Sequence, residues 1–423
     1  MSFLTGLKCL RCGAEYPARR MIGGCPECRA GGKPSNVVCT YDYEQIKGAF
    51  NKKTPADRPL TMWRYREFMA PEQDNIVTLS EGMTPLVKCE ALGRELGLSN
   101  LYVKDESRNP TWSFKDRLAS ASVSMAVKFG AKVMTASSSG NHGAATAAYA
   151  AKAGLDAVIF THEDFPITMR VFMEAYGAKV VAAPTLRDRK KLQRLGEEHF
   201  GWYSNGDTMQ PSAGYDPYGV DGYKSIGFEI CEQLGWRAPD KMVVPVGGGG
   251  SFFGSWKGFQ EFYELGLIDS VPEMVAAEVF GPLKNALEKD LDYVEEVPAG
   301  PTVAFSTGTN NSTYQALRAI LDSGGMAETA PDEETMEMQL KLASTEGIYG
   351  EASGVLPLAV IKKLRQTGQI DEDEVVVALM TSGGLKDPAT TQRYLPDIPL
   401  VEPNLDALRK GLAEAYGYLL PEK

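Results

Sequence analysis

Short apolar runs rich in β-branched residues alternate with longer amphipathic segments through most of the chain after residue 130. The runs AKVMTA, LDAVIFT, KVVAAP, KMVVPV, EMVAAEV and EVVVALM have the length and composition of buried strands. The segments between them have helical periodicity, for example the Ala-rich GNHGAATAAYAAKAG and the later SFFGSWKGFQEFYELG. Strands that alternate with helices in this way predict βαβ units, so we expect an α/β fold with parallel sheets.

Two stretches do not follow this alternation. Residues 41–100 have mixed polarity and form a lead-in to the alternating region. Residues 325–340, GMAETAPDEETMEMQL, are rich in Met and acidic residues, and this composition indicates a solvated helix and its approach. We expect residues 325–340 to form such a helix rather than a site.

The composition limits the functional classes. The chain has 423 residues, 43% of them hydrophobic and 23% charged, which predicts two or three ordinary globular domains. The net charge of -11 argues against a large nucleic-acid surface, which needs clustered Lys and Arg. No apolar run approaches the ~20 residues of a spanning helix, and the N-terminal residues show no signal segment. We therefore expect a cytoplasmic protein with no membrane or nucleic-acid partner.

Four of the seven cysteines lie together near the N-terminus. The motifs CLRC and CPEC place Cys9, Cys12, Cys25 and Cys28 in two knuckles with twelve residues between them. Four thiolates at this spacing can complete a tetrahedral site, so residues 1–40 are predicted to be a zinc ribbon. The ribbon could bind nucleic acid or a partner, but a structural staple for a segment too short to fold alone is favoured.

Three loops rich in Gly and Ser follow three of the predicted strands. They are SSSGNHG at 137–143, GGGGS at 247–251 and TSGGLKD at 381–387. Ligands of open α/β sheets bind at the carboxyl ends of the strands, where these loops lie. Gly247, Gly248, Gly249 and Gly250 precede a predicted helix, so their backbone amides can converge on a phosphate. The loop lacks the Gly-Lys-Ser/Thr of a Walker motif and the spaced glycines of a dinucleotide fingerprint.

A single lysine stands in mixed surroundings in NPTWSFKDRL, residues 109–118. Lys115 follows Phe114 and precedes an Asp-Arg pair. A phosphate cradle without a nucleotide motif, together with such a lysine, suggests a phosphorylated aldehyde held as an imine. Contact with Phe114 would desolvate the amine and lower its pKa, which supplies the neutral form that this chemistry needs.

The segment NPTWSFKDR resembles the cofactor-lysine motif of threonine synthases, Asn-Pro-Thr-Gly-Ser-Phe-Lys-Asp-Arg. SEGMTPL at 80–86, the SSSGNHG segment, the tetraglycine region and LMTSGGLKDP are similar to further motifs of this family. The similarity covers roughly residues 75–390 in the family's order. It implies a two-domain pyridoxal-phosphate enzyme of fold type II, related to the β subunit of tryptophan synthase, and a homodimer.

The resemblance also implies a role for each matching residue. Lys115 would hold pyridoxal 5'-phosphate as a Schiff base and move the Cα proton, and Asn141 would bond the 3'-oxygen. Gly247 to Gly250 would hold the phosphate, and Thr381 or Ser382 would bond the ring nitrogen. The substrate would contact Ser138, Ser139, Gly140, His142 and Trp112. A hydroxyl at the ring nitrogen favours elimination or replacement at Cβ or Cγ over transamination.

The expected domain division follows from the same comparison. Residues 1–40 would form the ribbon, 41–119 the first part of the large domain, 120–215 a smaller mobile domain, and 216–423 the rest of the large domain. The cofactor and an amino-acid substrate would lie between the two larger parts. The implied activity is that of a pyridoxal-phosphate-dependent lyase of the threonine-synthase group.

The chain departs from the family pattern at several positions. Trp112 replaces Gly, Gly383 replaces His, Gly219 replaces Arg and Tyr223 replaces Gln. The family's Arg belongs to the group that handles the substrate phosphate, and a guanidinium fork is hard to replace there. Its loss favours a relative with another substrate, either an ammonia-lyase of the threonine/serine dehydratase or diaminopropionate kind, or a β-replacement enzyme such as a cysteate synthase.

Two further questions stay open at this level. His142 resembles the Gly-Asn-His of dehydratases, and its interpretations as a general base and as a helix-start packing residue have similar weight. A non-enzymatic regulator that uses the ribbon on nucleic acid is a third hypothesis. The intact lysine motif and the acidic balance oppose it.

Overall fold

The computed structural model describes residues 2–21, 23–209 and 212–421. The chain forms two compact units, Met1–Lys386 and Asp387–Lys423. In the described residues the strands are β1 (Leu4–Cys9), β2 (Glu15–Tyr16), β3 (Val37–Tyr41), β4 (Leu86–Lys88), β5 (Asn100–Asp105), β6 (Val133–Ser137), β7 (Asp156–Thr161), β8 (Lys179–Ala182), β9 (Tyr203–Ser204), β10 (Lys241–Pro245), β11 (Glu273–Glu278), β12 (Met326–Thr329) and β13 (Val375–Met380).

The α-helices lie between and around these strands. In the described residues they are α1 (Pro26–Ala30), α2 (Tyr43–Ala49), α3 (Glu90–Leu96), α4 (Lys115–Lys128), α5 (Asn141–Lys152), α6 (Ile167–Ala175), α7 (Leu186–Phe200), α8 (Pro217–Gly222), α9 (Lys224–Gln233), α10 (Gly250–Glu264), α11 (Pro282–Glu288), α12 (Tyr314–Ser323), α13 (Asp332–Glu346), α14 (Ala352–Gln366), α15 (Pro388–Gln392) and α16 (Leu405–Tyr416). The last two belong to the second unit.

The largest sheet has the strand order β12-β11-β10-β13-β5-β4. Its strands are parallel except for β4, which pairs antiparallel with β5 at one edge. β10 lies inside the sheet, where Val243 pairs with Val275 on one side and with Ala378 on the other. Every residue of β10 is buried. A parallel strand covered on both faces is continuously apolar rather than alternating. This sheet confirms the predicted α/β class.

A second parallel sheet has the order β8-β7-β6-β9. The buried alanines of α5 pack in the core with residues of β6 and β7. Gly143 lies close to Met173 of α6, because a Cβ on Gly143 would lie 2.7 Å from Cε of Met173. The sheet lies within the range predicted for the smaller domain. The predicted boundary at residue 120 falls inside α4, and the domain division stays a prediction.

The N-terminal residues form a three-stranded antiparallel sheet of order β2-β1-β3, with α1 after β2. Leu7 and Val37 of this sheet belong to the same buried cluster as Phe253 of α10. The Nζ of Lys257 donates a hydrogen bond of 2.8 Å to the carbonyl of Cys39. The ribbon is therefore packed into the first unit.

The interpretation of residues 325–340 was wrong in part. Met326–Thr329 form β12, an edge strand paired with β11, and Met336 and Met338 of α13 are buried. The acidic residues made this segment look fully solvated. An edge strand and the exposed face of a helix can both hold acidic side chains in contact with water. In the described residues, no helix combines the length and apolarity required to cross a membrane.

Candidate functional site

The lysine of the NPTWSFKDRL motif is the first residue of α4. The turn before it is fixed, since the backbone amide and hydroxyl of Thr111 donate to the Asp116 carboxylate at 2.8 and 2.7 Å. The amide of Phe114 donates to the carbonyl of Thr381 at 3.0 Å, which joins the start of α4 to the end of β13. Lys115 is therefore held between the loop that follows β5 and the loop that follows β13.

The amine of Lys115 lies among aromatic rings. Its Nζ is 4.4 Å from the ring centre of Phe114, 5.5 Å from that of Tyr215 and 5.8 Å from that of Tyr223. Burial lowers the pKa of Lys115 to about 8, although the Glu351 carboxylate opposes the shift. A substantial neutral fraction at moderate pH suits an amine that attacks a carbonyl.

The tetraglycine turn meets Tyr215 on one side and α12 on the other. A Cβ on Gly248 would lie 2.6 Å from the Tyr215 hydroxyl, and one on Gly249 would lie 2.4 Å from Cβ of Ala316. Gly249 also has a φ of +77°, the left-handed region that favours glycine. Gly248 and Gly249 therefore have no room for a side chain.

Two hydroxyls hold the carbonyl groups of this turn. Ser312 donates to the carbonyl of Gly247 and Thr313 to that of Gly248, each at 2.9 Å. The carbonyls are thereby directed to α12, and the turn leads into the N-terminus of α10. An N-terminus of this kind binds phosphate through its backbone amides and its dipole. The cradle fits the phosphate of the predicted cofactor.

The side-chain amide of Asn141 is held from both ends. Its Nδ2 donates to the two carboxylate oxygens of Glu351 at 3.0 and 3.2 Å. Its Oδ1 accepts from Nζ of Lys386 at 2.6 Å, and the Ser382 hydroxyl is 3.3 Å away. The amide joins the loop after β6, the start of α14 and the loop after β13.

The two hydroxyls proposed for the ring nitrogen differ in their contacts. Ser382 donates to the carbonyl of Trp112 at 3.0 Å. A hydroxyl has one proton, so this bond competes with any other donation by Ser382. Thr381 is buried, and its Oγ1 would lie 3.2 Å from a Cβ on Gly354. The geometry favours Thr381 for the ring nitrogen.

The loop predicted to bind the substrate carboxylate is a turn before α5. The amide of Gly140 donates to Ser138 Oγ at 3.2 Å, and a Cβ on Gly140 would lie 3.8 Å from the ring of Phe305. Ser138, Ser139 and Gly140 are partly buried. Backbone amides before a long helix are suitable donors for a carboxylate.

His142 is buried behind this loop. Its Nε2 donates to Oδ1 of Asn205 at 2.9 Å, since a carbonyl oxygen only accepts. Burial, the nearby charge of Lys115 and the bond to Asn205, which opposes the shift, leave the pKa of His142 at about 3. A group with this pKa is a weak base near neutral pH, which favours the packing interpretation.

The departures from the family motif have distinct surroundings. Trp112 has a φ of +59°, is 54% exposed and stacks on Phe172 of α6 with ring centres 5.2 Å apart. Gly219 packs against α4, and a Cβ there would approach Cγ of Leu118 to 2.9 Å. The position therefore has no room for a long side chain without repacking.

Tyr223 is buried beside the lysine. Its ring stacks on Phe114 with centres 5.3 Å apart. Within the described part of the chain, its hydroxyl has no hydrogen-bond partner. At these two positions the family pattern has Arg and Gln, whereas this chain has Gly219 and Tyr223.

Three residues of the site were missed at the sequence level. Tyr215 lies on the cradle, Glu351 binds Asn141, and Lys386 donates to the same amide. Lys386 lies within the TSGGLKD loop, so its position after a strand was a usable signal. Glu351 and Tyr215 precede helices without a distinctive motif, and only the fold brings them to the site.

The four cysteines of the ribbon come together. Their sulfur atoms all lie within 4.8 Å of one another. The Sγ atoms of Cys9 and Cys28 are 3.6 Å apart, as are those of Cys12 and Cys25. Thiolate groups at such distances are compatible with one tetrahedral metal ion.

Comparisons with known proteins agree with this arrangement. The family model described as "Pyridoxal-phosphate dependent enzyme" matches residues 77–382. The threonine synthase of Methanocaldococcus jannaschii is 36% identical over 416 residues, 96% of this chain and 99% of that protein. The threonine synthase of Methanosarcina acetivorans is 34% identical over 423 residues, 96% of this chain and 98% of that protein. The structure of maize serine racemase matches with a TM-score of 0.63 and 20% identity, over 74% of this chain and 91% of that one.

Proposed function

The chain belongs to the pyridoxal-phosphate-dependent enzyme family, and from this premise we propose that Lys115 is the residue that holds the cofactor. The enzyme is a lyase of the threonine-synthase group. This family membership favours the enzymatic hypotheses over the nucleic-acid regulator.

One observation carries the residue assignment. The Nζ of Lys115 lies 5.5 Å from the ring of Tyr215, whose hydroxyl abuts Gly248 of the cradle. An amine and a phosphate cradle joined by one side chain can hold the two ends of one small molecule. Pyridoxal phosphate, an aldehyde with a phosphate tail, has the two groups that this amine and this cradle would take.

The remaining residues then have defined tasks. Gly247 to Gly250 would bind the phosphate through backbone amides, and Asn141 would donate from Nδ2 to the ring oxygen. Thr381 would donate its hydroxyl proton to the ring nitrogen. The amides before α5 orient the substrate carboxylate. Phe114 and Tyr223 keep water from the Lys115 amine, which takes and returns the proton at Cα. When bound, pyridoxal phosphate supplies the electron sink for the carbanion at Cα.

Two substrate classes are consistent with these tasks. The first is a γ-phosphorylated amino acid converted to threonine, and the likeness to threonine synthases over nearly the whole chain supports it. The second is elimination or replacement at Cβ, as in an ammonia-lyase or a cysteate synthase. The close packing of Gly219 on Leu118 supports the second class, because no guanidinium can meet a phosphate from there.

A substrate panel distinguishes the two classes. Purified enzyme loaded with pyridoxal phosphate is assayed with O-phosphohomoserine, serine, threonine, phosphoserine and diaminopropionate. Phosphate release coupled to threonine formation supports the first class. Ammonia release with a keto acid, or a sulfonate product from phosphoserine and sulfite, supports the second. If no substrate gives a product, neither class is supported.

We propose further that the four-cysteine cluster holds structural zinc. The sulfur geometry and the packing of the ribbon on α8 and α10 support a staple rather than a binding module. A homodimer, a cytoplasmic location and the domain boundaries at residues 40, 119 and 215 complete the proposal. Metal analysis of the purified protein tests the zinc, with one equivalent per chain expected.

A further inference from the structure

A second buried amine lies in the site, and the roles above do not use it. Lys386 is 5% exposed and ends the short turn Gly384–Lys386 after β13. Its Nζ donates to Oδ1 of Asn141 at 2.6 Å and lies 5.6 Å from the ring centre of Phe172. Buried lysines are uncommon without a partner. The partner of Lys386 is the amide oxygen of Asn141.

The contacts of Asn141 define the orientation of its amide. An ammonium only donates, so the atom that faces Lys386 must be the oxygen. A carboxylate only accepts, so the atom that faces Glu351 must be the nitrogen. The two charged neighbours therefore prevent a flip of the amide. The nitrogen carries two protons, so it can keep one on Glu351 and donate the other.

The position of Lys386 is itself held from several sides. Its carbonyl accepts from the hydroxyl of Thr168 on α6 at 2.9 Å. Gly384, two residues earlier, faces the ring of Tyr349, and a Cβ there would lie 2.4 Å from ring atoms. Burial lowers the pKa of Lys386 to about 8, while Glu351 and Asp116 oppose this shift. These two carboxyl groups favour the charged form, which can only donate to Asn141.

We propose that Lys386 is a positioning residue that holds Oδ1 of Asn141, so that the Nδ2 of Asn141 faces the ring oxygen of the cofactor. The inference rests on the proposed function of Lys115 and Asn141. Loss of Lys386 leaves Oδ1 of Asn141 with the longer 3.3 Å contact to the Ser382 hydroxyl, so the amide is held less firmly, and it removes a positive charge from the site. The looser amide weakens the hold on the cofactor, and the missing positive charge raises the pKa of the Lys115 nitrogen in the loaded enzyme.

The test uses the full-length enzyme with Lys386→Met, Lys386→Arg and the matched control Lys132→Gln. Lys132 is exposed at the amino end of β6, the opposite end from the site. For Lys386→Met we expect the dissociation constant of pyridoxal phosphate to rise about 10-fold, as for loss of a charge-assisted hydrogen bond. We expect the pH midpoint of the cofactor's visible absorbance to rise by about half a unit or more. Lys386→Arg should restore most of both values.

A double-mutant cycle shows whether Lys386 acts through Asn141. If it does, Lys386→Met in an Asn141→Ala background adds nothing to the effect of Asn141→Ala on the cofactor dissociation constant. Additive effects, or an unchanged midpoint and dissociation constant in folded Lys386→Met, would overturn the inference. If the Met variant does not fold, Lys386→Gln takes its place in the cycle.

The site of cofactor attachment separates this inference from the proposed function. Borohydride reduction followed by peptide mass mapping should find the cofactor on Lys115 in the wild type and in Lys386→Met. An adduct on Lys386 would overturn the positioning role. A wild-type protein that binds no pyridoxal phosphate would overturn the proposed function itself.

Discussion

Asn36 of the ribbon donates a hydrogen bond of 2.9 Å from Nδ2 to Oε1 of Gln315 in α12. Gln315 lies two residues after Thr313, which together with Ser312 holds the carbonyls of the tetraglycine turn through its hydroxyl. Arg11 of the ribbon also stacks on the ring of Tyr314, with its guanidinium carbon 3.8 Å from the ring centre. The ribbon therefore contacts the segment that shapes the phosphate cradle.

We expect Asn36→Ala to lower the free energy of unfolding by about 1–3 kcal/mol, because buried polar partners lose their bond. The dissociation constant of pyridoxal phosphate should also rise about 3- to 10-fold, since α12 loses an anchor beside the cradle. Urea unfolding and fluorescence titration with the cofactor measure the two effects. Thr5→Ala, which breaks an exposed hydroxyl pair with Thr40, is the control. Reduced stability with unchanged cofactor affinity would show that the ribbon stabilises the fold but does not support the phosphate cradle.

Replacement of Lys115 by Ala removes the amine on which the proposed function depends. Turnover should fall by at least about 10³-fold, as expected for loss of both the covalent anchor and the proton carrier. The visible absorbance of the bound cofactor should shift, and borohydride should no longer fix it to the chain. Lys132→Gln should leave all three readouts unchanged. Retention of a reducible adduct in Lys115→Ala would refute the assignment.

Beneath the site, Arg117 is fully buried between two carboxylates. It donates to Glu106 at 2.7 Å and to Glu229 at 2.5 Å, and Lys104 completes the group at 2.8 Å from Glu229. Positive charges and hydrogen bonds from Arg117 and Lys104 overcome burial and hold the pKa of Glu229 at about 2. The two cations balance the two anions.

Because Arg117→Met would leave two buried carboxylates with one cation, we expect it to cost about 3–5 kcal/mol of unfolding free energy. The exposed pair of Arg318 and Asp322 is the matched control, and Arg318→Met should cost less than about 1 kcal/mol. Urea denaturation of the two variants measures the difference. Equal losses of unfolding free energy in the two variants would show that the buried ion pairs of Arg117 contribute no more to stability than an exposed pair.

The stability of the protein should depend on pH through His142. Its pKa is about 3 in the folded protein, against 6.5 for an unperturbed histidine. Between these values the unfolded chain binds a proton that the folded chain does not, so stability falls as the pH drops from 6.5 towards 3. This loss should reach about 2 kcal/mol at pH 5.

Comparison with His142→Gln isolates that contribution, because the other titrating groups are common to both proteins. Unfolding free energies measured from pH 7 to pH 4 should fall less steeply in the variant. Parallel curves would mean that His142 accepts its proton as readily in the folded protein as in the unfolded chain.

Trp112 should govern which side chains the site accepts. Its left-handed backbone costs about 1–3 kcal/mol for a residue of this size, while its stack on Phe172 returns about 0.5–1.5 kcal/mol. Trp112→Gly should therefore change stability little. Because it removes a ring beside the site, kcat/KM should rise about 3-fold or more for larger substrates relative to serine.

Trp236 provides the matched control, since it has a similar φ of +63° and stacks on Phe262 with ring centres 5.7 Å apart. Trp236→Gly changes backbone freedom and an aromatic stack without touching the site residues. It should leave the substrate ranking unchanged. A similar change of ranking in both variants would remove Trp112 from specificity.

The sequence alone determined the fold class, because short apolar strands between amphipathic helices can bury themselves only in covered parallel sheets. The motif around Lys115 and the family order of the loops led to the cofactor and to most of the proposed site. The spacing of the cysteines predicted a cluster that the fold does bring together. Each of these conclusions depends on residues that are close in sequence.

Tertiary structure alone decided which distant residues complete the site. Glu351 and Lys386 lie more than 200 residues from Asn141 in sequence, yet both bind its amide. Asn36 reaches Gln315 across a similar separation. Local patterns predict an element and its exposed face, but long-range contacts depend on how helices and sheets pack. Buried polar groups then bond to the partners that this packing brings within reach, because leaving them unpaired costs free energy.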